Sequence, residues 1–130
     1  MTDNLMTIRA MCDAFDVTPR TLRFYEAKEL LFPLRDGTKR LFTRSDRARL
    51  KLILRGKRFG FSLEDIRQLL DLYDRDGNDL AQKRAAYDLA MKRLAEMEAE
   101  RLALDGMIAE LKGELAENAA IVAEPARNAA

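Results

Sequence analysis

The feature that most constrains this 130-residue chain is a helical run of about 39 residues, from Asp79 to Glu117, that contains no proline. At ~1.5 Å per residue such a helix is roughly 58 Å long, and it is not stable as an isolated helix. Gly106 and Gly113 stand alone within the run, so nothing indicates a turn between two shorter helices. The run is therefore predicted to be one continuous helix that packs against a partner helix.

A heptad pattern shows which face of this helix packs. Ten of the thirteen residues at the two seam positions are apolar, which is typical of a coiled coil. The a positions are Leu80, Tyr87, Leu94, Arg101, Ile108, Leu115 and Val122, and the d positions are Lys83, Ala90, Met97, Leu104, Leu111 and Asn118. The residues predicted to form the dimer contact are Tyr87, Leu94, Met97, Leu104, Ile108, Leu111 and Leu115.

Charge is segregated along the same helix. Residues 80–95 contain four basic residues and one acidic residue, whereas residues 96–117 contain two basic and seven acidic residues. An antiparallel pair places opposite signs together and a parallel pair places like signs together, although each exposed ion pair is weak. The pattern favours an antiparallel dimer, with Arg101 interrupting the seam near its centre and Glu98 or Asp105 as its hypothetical partner.

The N-terminal part contains the signals of two short helices joined by a tight turn. Thr7 is predicted to cap a first helix from Ile8 to about Phe15. Asp16 follows, and Asp tolerates the left-handed backbone that a tight turn needs. Thr18 is suited to cap a second helix, and Pro19 to occupy its first position, where the missing N–H costs nothing. This spacing predicts a helix-turn-helix with the second helix in the recognition position.

The polar face of that second helix contains two arginines. Leu22 is predicted to face the preceding helix together with one of Phe24 or Tyr25. Arg20 and Arg23 are then three residues apart on the outward face. Two guanidinium groups on one face suit guanine edges or phosphates, so this helix is predicted to read DNA.

Residues 34–42 are predicted to form two short strands around Asp36-Gly37, a dipeptide typical of a hairpin turn. Arg35, Lys39 and Arg40 flank or follow the turn, as expected of a wing that reaches phosphates beside the groove. The alternative is an exposed hairpin with solubilising charges. The residues predicted to anchor the ribbon to the helices are Leu34, Leu41 and Phe42.

A second helix pair follows the wing. Thr43 is predicted to cap a helix that runs to about Phe59, with Asp46 as a short-armed capping-box partner. Gly60 ends this helix and Ser62 opens the next. The predicted buried residues are Leu50, Ile53, Leu54, Ile66, Leu69, Leu70 and Tyr73, and the predicted basic coat is Arg47, Arg49, Lys51, Arg55, Lys57 and Arg58.

Charge and composition limit the function classes. The net charge is only +1, but residues 20–58 hold 13 basic and 4 acidic groups, which is typical of a polyanion-binding surface; a solvated surface is the alternative. The chain has no histidine and one cysteine, Cys12, so no metal site, cofactor, disulfide framework or catalytic centre is expected. Because no run is apolar enough to span a membrane and no signal-peptide pattern is present, a cytoplasmic location is expected.

These residues together resemble the MerR (mercury-resistance-regulator) family of bacterial winged-helix transcription factors. The likeness covers residues 6–75. The residues on which it rests are Thr7-Ile8, Val17-Thr18, Thr21-Leu22-Arg23-Phe24-Tyr25-Glu26, Leu30-Leu31, Pro33, Arg35, Arg40, Asp46, Leu50, Gly60-Phe61-Ser62-Leu63, Ile66 and Leu69-Leu70. Asp16 stands where the family often has glycine, and Lys39 to Phe42 where tyrosines are common.

The resemblance implies a homodimer bound to an inverted repeat in double-stranded promoter DNA. It further implies that the dimer distorts the DNA between the polymerase elements, so that RNA polymerase is affected through the promoter. The DNA-binding residues it implies are Thr18, Arg20, Thr21 and Arg23 in the recognition helix, Tyr25 at a backbone phosphate, Arg35, Lys39 and Arg40 in the wing, and Lys57 and Arg58 near the second helix pair.

The expected fold is mainly all-α, with a winged helix-turn-helix DNA-binding head and a long antiparallel coiled-coil dimerisation helix. The expected parts are a head over residues 1–76, a dimerisation helix over 77–119 and a flexible tail over 120–130. Residues 50–58 and 71–74 resemble the short members of the family that control branched-chain amino-acid and acyl-CoA degradation. If the chain has a small-molecule effector, its expected site is between the dimer helices and the heads. The alternative function is a coiled-coil adaptor that does not bind DNA, and salt dependence separates the two.

Overall fold

The computed structural model describes residues 4–74 and 80–125. The elements in chain order are β1 (Met6–Thr7), α1 (Ile8–Phe15), α2 (Pro19–Ala27), β2 (Leu34–Asp36), β3 (Lys39–Phe42), α3 (Arg44–Arg58), α4 (Leu63–Asp74) and α5 (Leu80–Ala123). This confirms the mainly helical class, with a small wing and a long C-terminal helix. Contacts divide the chain into two compact units between Leu89 and Ala90.

The predicted turn between α1 and α2 is present. The Thr7 hydroxyl accepts the Ala10 N–H at 3.1 Å and so caps α1. Asp16 ends the helix in the left-handed region, with φ of 54°, and its N–H donates to the carbonyl of Cys12. The N–H of Val17 donates to the same carbonyl at 3.2 Å, so both amides that follow α1 have a partner.

Strands β2 and β3 form the wing, and together with β1 they make a three-stranded antiparallel sheet in the order β1-β3-β2. Gly37 lies in the turn between β2 and β3 with φ of +63°, a conformation that glycine adopts without strain. Strand β1 was not predicted, because two residues directly before a capped helix are too short to show the alternation of a strand. It pairs Met6 with Phe42, which joins the N-terminus to the wing.

The core of the first unit combines residues from α1 to α4, the wing and the loop that follows α2. Its buried members are Met11, Leu22, Tyr25, Leu30, Leu31, Phe42, Leu50, Ile53, Ile66 and Leu70. Of the other residues predicted to be buried, Leu41, Leu54 and Leu69 are only partly buried, and Leu34 and Tyr73 are each 52% exposed. Leu34 is on the outer strand of the sheet and Tyr73 is in the last turn of α4, where the first unit offers little cover.

A buried carboxylate fixes the start of α3. Asp46 is 2% exposed and accepts hydrogen bonds from the N–H of Phe32 at 2.9 Å and from the N–H and hydroxyl of Thr43, both at 3.1 Å. Thr43 in turn accepts the Asp46 N–H, which completes the predicted capping box. The same side chain therefore caps a helix and holds the loop between α2 and the wing.

The predicted place of Arg49 in the exposed basic coat is wrong. Arg49 is only 6% exposed; its Nε donates to the carbonyl of Leu30 at 2.8 Å, and its guanidinium pairs with Asp74. The guanidinium also lies 5.2 Å from the ring centroid of Phe32, within the range of a cation–π contact. Arg49 therefore connects α3 to the loop after α2 and to the end of α4.

Helix α5 is 44 residues long, about 66 Å at ~1.5 Å per residue. It continues to Ala123, six residues beyond the predicted end, because no breaker occurs before Pro125. Its predicted start at Asp79 and the predicted boundary after residue 76 lie outside the described residues. All seven predicted dimer residues are exposed, so this apolar face is uncovered in the single chain. Over residues 4–74 and 80–125, no helix is both long and apolar enough for a membrane span.

We expect Gly56→Ala to destabilise the first unit. A Cβ at this buried position of α3 would lie 2.8 Å from Cγ1 of Ile66, and a β-branched side chain cannot easily move away. The overpacking, about 1–3 kcal/mol, outweighs the gain of up to ~1 kcal/mol in helix propensity. Urea unfolding at fixed protein concentration measures the change in the free energy of unfolding.

Gly106→Ala is the matched control, because a Cβ there meets no atom within 4 Å. This variant should be as stable as the parent or more stable. Equal stability of Gly56→Ala and Gly106→Ala would show that a Cβ at position 56 does not clash with Ile66.

Candidate nucleic-acid interface

The start of α2 is fixed by its own side chains. The Thr18 hydroxyl accepts the Thr21 N–H at 3.1 Å and lies 2.9 Å from the Thr21 hydroxyl, and Pro19 occupies the first turn. Leu22 is fully buried and anchors the opposite face of the helix in the core. The exposed face of α2 is therefore presented in a fixed orientation.

Arg20 and Arg23 both lie on that exposed face, as predicted. Over the described part of the first unit, neither guanidinium forms a hydrogen bond or an ion pair. Beyond them, Nζ of Lys28 lies 5.7 Å from the ring centroid of Phe24, which is 44% exposed. The helix thus presents unpaired cations next to an exposed ring.

Tyr25 differs from the other predicted DNA-binding residues of α2. It is 4% exposed, its ring is part of the core, and burial raises the pKa of its hydroxyl. Of the two aromatic residues that competed for the inward position, Tyr25 is the buried one and Phe24 the exposed one. A phosphate contact by Tyr25 remains a prediction, limited to the small edge of the side chain that reaches the surface.

The predicted wing arginines already have a partner within the chain. Arg35 and Arg40 are directly opposite each other on β2 and β3. Nη2 of Arg35 lies 2.8 Å from Oε2 of Glu26, and Nε of Arg40 lies 2.6 Å from Oε1 of the same carboxylate. Like charges facing each other across a strand pair are destabilising, and one carboxylate from α2 relieves this repulsion. We call Glu26, Arg35 and Arg40 the wing clamp.

The wing clamp changes what each wing cation can do. Arg40 is largely enclosed, with 23% of its side chain exposed, whereas half of the Arg35 side chain remains exposed. Lys39, at the start of β3, is exposed and forms no ion pair within residues 4–74. A phosphate contact by the wing remains a prediction. Lys39 and Arg35 are exposed enough to make this contact, whereas Arg40 is largely enclosed.

Glu26 was not predicted as a site residue. Its signal was present in the sequence, because a two-residue turn after Asp36 places Arg35 opposite Arg40 and so creates a need for an acid. The acid comes from α2 because of the way the sheet packs against this helix. The sequence around the turn does not indicate that packing. Burial raises the pKa of Glu26, but the hydrogen bonds and charges of Arg40 and Arg35 outweigh it, so that the pKa is lower than usual.

The second helix pair contributes the remaining predicted cations. Lys57 and Arg58 are exposed in the last turn of α3, where Gly60 turns the chain with φ of +79°. The Ser62 hydroxyl then accepts the Asp65 N–H at 3.0 Å and caps α4. The structure thus leaves both cations accessible at the α3–α4 corner.

These features define a winged helix-turn-helix whose second helix, α2, has a cationic exposed face. The model of the MerR HTH family of regulatory proteins matches residues 6–73, and the model described as "MerR, DNA binding" matches residues 47–113. Each covers about half of the chain. The chain belongs to the MerR family. The matched residues include the part of that family's regulators that is described as DNA-binding.

Individual relatives agree with this membership. The regulator ZntR of Escherichia coli K12 is 37% identical over 94 residues, 71% of this chain, and the match spans 65% of ZntR's own length. The mercuric resistance operon regulatory protein of Pseudomonas fluorescens is 30% identical over 115 residues, 85% of this chain and 78% of the relative. HiNmlR, a family member lacking the sensor domain and solved on promoter DNA, shares the fold with a TM-score of 0.61 at 24% identity, over 86% of this chain and 88% of HiNmlR.

We expect Glu26→Gln to lower the free energy of unfolding by about 1–2 kcal/mol at neutral pH, because both arginines lose their charged acceptor. Since the pKa of Glu26 is lower in the folded state, the clamp stabilises above the unfolded-state pKa and is lost as the pH falls through the folded-state pKa. The difference between parent and variant should therefore shrink in acid. Urea unfolding at several pH values measures it.

Glu29→Gln is the control, because Glu29 is exposed and its carboxylate forms no ion pair within the described part of the first unit. It should leave stability nearly unchanged at every pH. A pH-independent loss in Glu26→Gln would show that the carboxylate charge is not what holds the wing.

Proposed function

We propose that the chain binds an inverted-repeat promoter site as a homodimer and controls transcription by distorting the DNA between the polymerase elements. The proposal rests on Arg20 and Arg23, which lie on the exposed face of α2 without an ion-pair partner in the described part of the first unit. Helix α2 itself is fixed by its capped N-terminus and by the buried Leu22. Guanidinium forks that keep their donors free suit guanine edges and phosphates. RNA polymerase would be reached through the promoter, in the cytoplasm.

The other predicted residues would position this helix. Thr18 and Thr21 lie at the N-terminus of α2, where backbone amides and hydroxyls suit phosphate. Lys39 of the wing and Lys57 and Arg58 of the α3–α4 corner are exposed cations at separate places on the first unit. Such contacts set the orientation on the duplex and add affinity that falls with salt, without reading sequence.

The proposed homodimer rests on α5. Its seam residues are 38% to 62% exposed from Tyr87 to Leu115, and an apolar face of this length requires a partner helix. A second copy supplies an identical face with the reversed order of charge that the sequence favours. Two copies also provide the two recognition helices that an inverted repeat needs.

An adaptor that does not bind DNA is the alternative, and the free arginines argue against it. An adaptor that binds its partner through the apolar face of α5 does not need a surface with 13 basic and 4 acidic residues over 20–58. Operator binding must weaken steeply as salt rises, whereas assembly through an apolar seam need not.

We further propose that the chain binds a small-molecule effector and belongs to the subgroup that controls acyl-CoA degradation. A cavity of about 220 Å³ in the first unit is lined by Leu52, Leu69, Leu72, Gln82 and Lys83, among others. It is small for a drug-sized ligand, and the apolar lining with one ammonium group suits a short acyl chain next to an anionic group. Footprinting with and without acyl-CoA thioesters tests the class.

Metal sensing is not proposed, although one relative's name refers to mercuric resistance. The chain has no histidine, and Cys12 is its one cysteine. Burial and Asp13 raise the pKa of the Cys12 thiol and outweigh Arg23, so the reactive thiolate is disfavoured. Among the described residues no cluster of three or more His, Cys, Asp or Glu side chains could hold a metal ion.

We expect Arg23→Ala to weaken operator binding by roughly 1–3 kcal/mol, about 5- to 150-fold in Kd. If Arg23 reads a base, discrimination between operator and unrelated DNA should fall; if it contacts a phosphate, the slope of log K against log salt should fall by about 1. Gel-shift titrations at several salt concentrations measure both quantities.

Lys92→Ala is the control, because Lys92 lies on the outward face of α5 and its change should not affect DNA binding. Equal binding by parent and Arg23→Ala at every salt concentration would remove Arg23 from the interface. A parent chain whose binding does not depend on salt would overturn the DNA-reading surface itself.

A further inference from the structure

The charge of α5 changes sign at one point along the helix. Residues 80–95 contain four basic residues and one acidic residue. The next sixteen residues, 96–111, contain one basic residue and five acidic ones. A two-fold axis between Ala95 and Glu96 would place the whole basic block against the whole acidic block of a second copy.

That axis agrees with the heptad pattern. In an antiparallel pair an a residue faces a d residue of the partner, and the allowed registers differ by seven residues. The axis between Ala95 and Glu96 brings Leu94 level with Met97 of the partner subunit and Tyr87 level with Leu104 of the partner subunit. Each of these layers joins two apolar side chains that are exposed in the single chain.

The polar interruption of the seam supports the same register. Arg101 is at a core position, and within residues 80–125 it forms no ion pair with Glu98 or Asp105, the partners that the sequence suggested. In this register Arg101 faces Ala90 of the partner subunit, the smallest side chain of the seam. The arginine stem thus has room to extend to the edge of the contact, where its charge stays in water.

The flank of the seam provides an opposite-charge pair. Arg93 and Glu100 occupy equivalent flanking positions one heptad apart, and within one helix Nη1 of Arg93 already lies 3.1 Å from Oε1 of Glu100. In this register the flanking position of Arg93 also adjoins that of Glu100 of the partner subunit, with an offset of two residues, ~3 Å along the axis. Because the axis repeats the contact, each dimer has two such pairs.

The neighbouring registers lose these features. A shift of one heptad toward the C-terminus places the flanking Glu100 against Glu100 of the partner subunit. A shift of two heptads leaves residues 96–109, with four acidic residues and one basic residue, facing their own copy. A shift of one heptad toward the N-terminus places Arg93 against Arg93 of the partner subunit and Arg101 against Lys83 of the partner subunit. Like charges at flanking positions select against a register.

We infer that two copies of the chain pair through antiparallel α5 helices with the two-fold axis between Ala95 and Glu96. This inference rests on the proposed homodimer and specifies its register. The attraction between the two charge blocks selects the register, and the apolar seam supplies the binding energy.

Distances between spin labels test the register directly. A label on Glu110→Cys in a Cys12→Ala background should be separated from its symmetry mate by ~44 Å along the helix axis, at ~1.5 Å per residue. Shifts of one and two heptads toward the C-terminus give ~33 Å and ~23 Å, and a parallel dimer shows almost no axial separation.

A mixing experiment tests the charge pair. Chains with Arg93→Glu and chains with Glu100→Arg each lose the contact within their own helix, and each homodimer places like charges together. Mixed in equal amounts, the two variants should form mainly the heterodimer, because it restores both contacts between chains. Lys92→Glu mixed with Glu110→Lys makes the same changes of charge on outward positions and should show a much weaker preference.

The outcomes separate the register from the dimer. A distance near 44 Å with heterodimer preference in the flanking pair alone supports the inference. A dimer with a distance near 33 or 23 Å, or with equal preference in both mixtures, overturns the register and leaves the homodimer standing. A chain that is monomeric at micromolar concentration overturns both.

Discussion

The arrangement of α2 and the wing depends on one carboxylate that holds two arginines. Arg35 and Arg40 face each other across the wing and would repel without an acid between them. Glu26 supplies that acid from the recognition helix, so the interaction that stabilises the hairpin also fixes it against α2. The ion pairs therefore hold α2 and the wing together, as the proposed contact with a groove and its flanking phosphates requires.

The caps and turns of this chain could be predicted from sequence because they are local. Thr18 with Pro19, Asp16 in the left-handed region and the Thr43–Asp46 capping box each involve residues three or fewer apart, and each is present. The errors concern residues whose environment is set by distant elements. Arg49 is buried because Leu30 and Asp74 supply its acceptors, and Leu34 is exposed because it lies on the outer strand.

The same distinction applies to the candidate site. The exposure of Arg20 and Arg23 follows from helical spacing around Leu22, which the sequence contains. Whether Arg35 and Arg40 are free for phosphate depends on Glu26, nine and fourteen residues away, and on the angle between helix and sheet. Charge density alone counts all these cations equally, whereas the structure divides them into paired and unpaired groups.

In the proposed dimer, the segregation of charge along α5 would link assembly to DNA recognition. Sliding one helix past the other by one heptad moves the two α5 N-termini by ~10 Å relative to each other, about the length of three base pairs. An apolar seam with a repeat of seven tolerates such a slide, because leucine and methionine layers replace one another. A change of charge sign at a single point does not tolerate it, since a slide in either direction sets like charges against each other. In the proposed dimer, charges that contribute little to affinity would thus determine the distance between the two α5 N-termini.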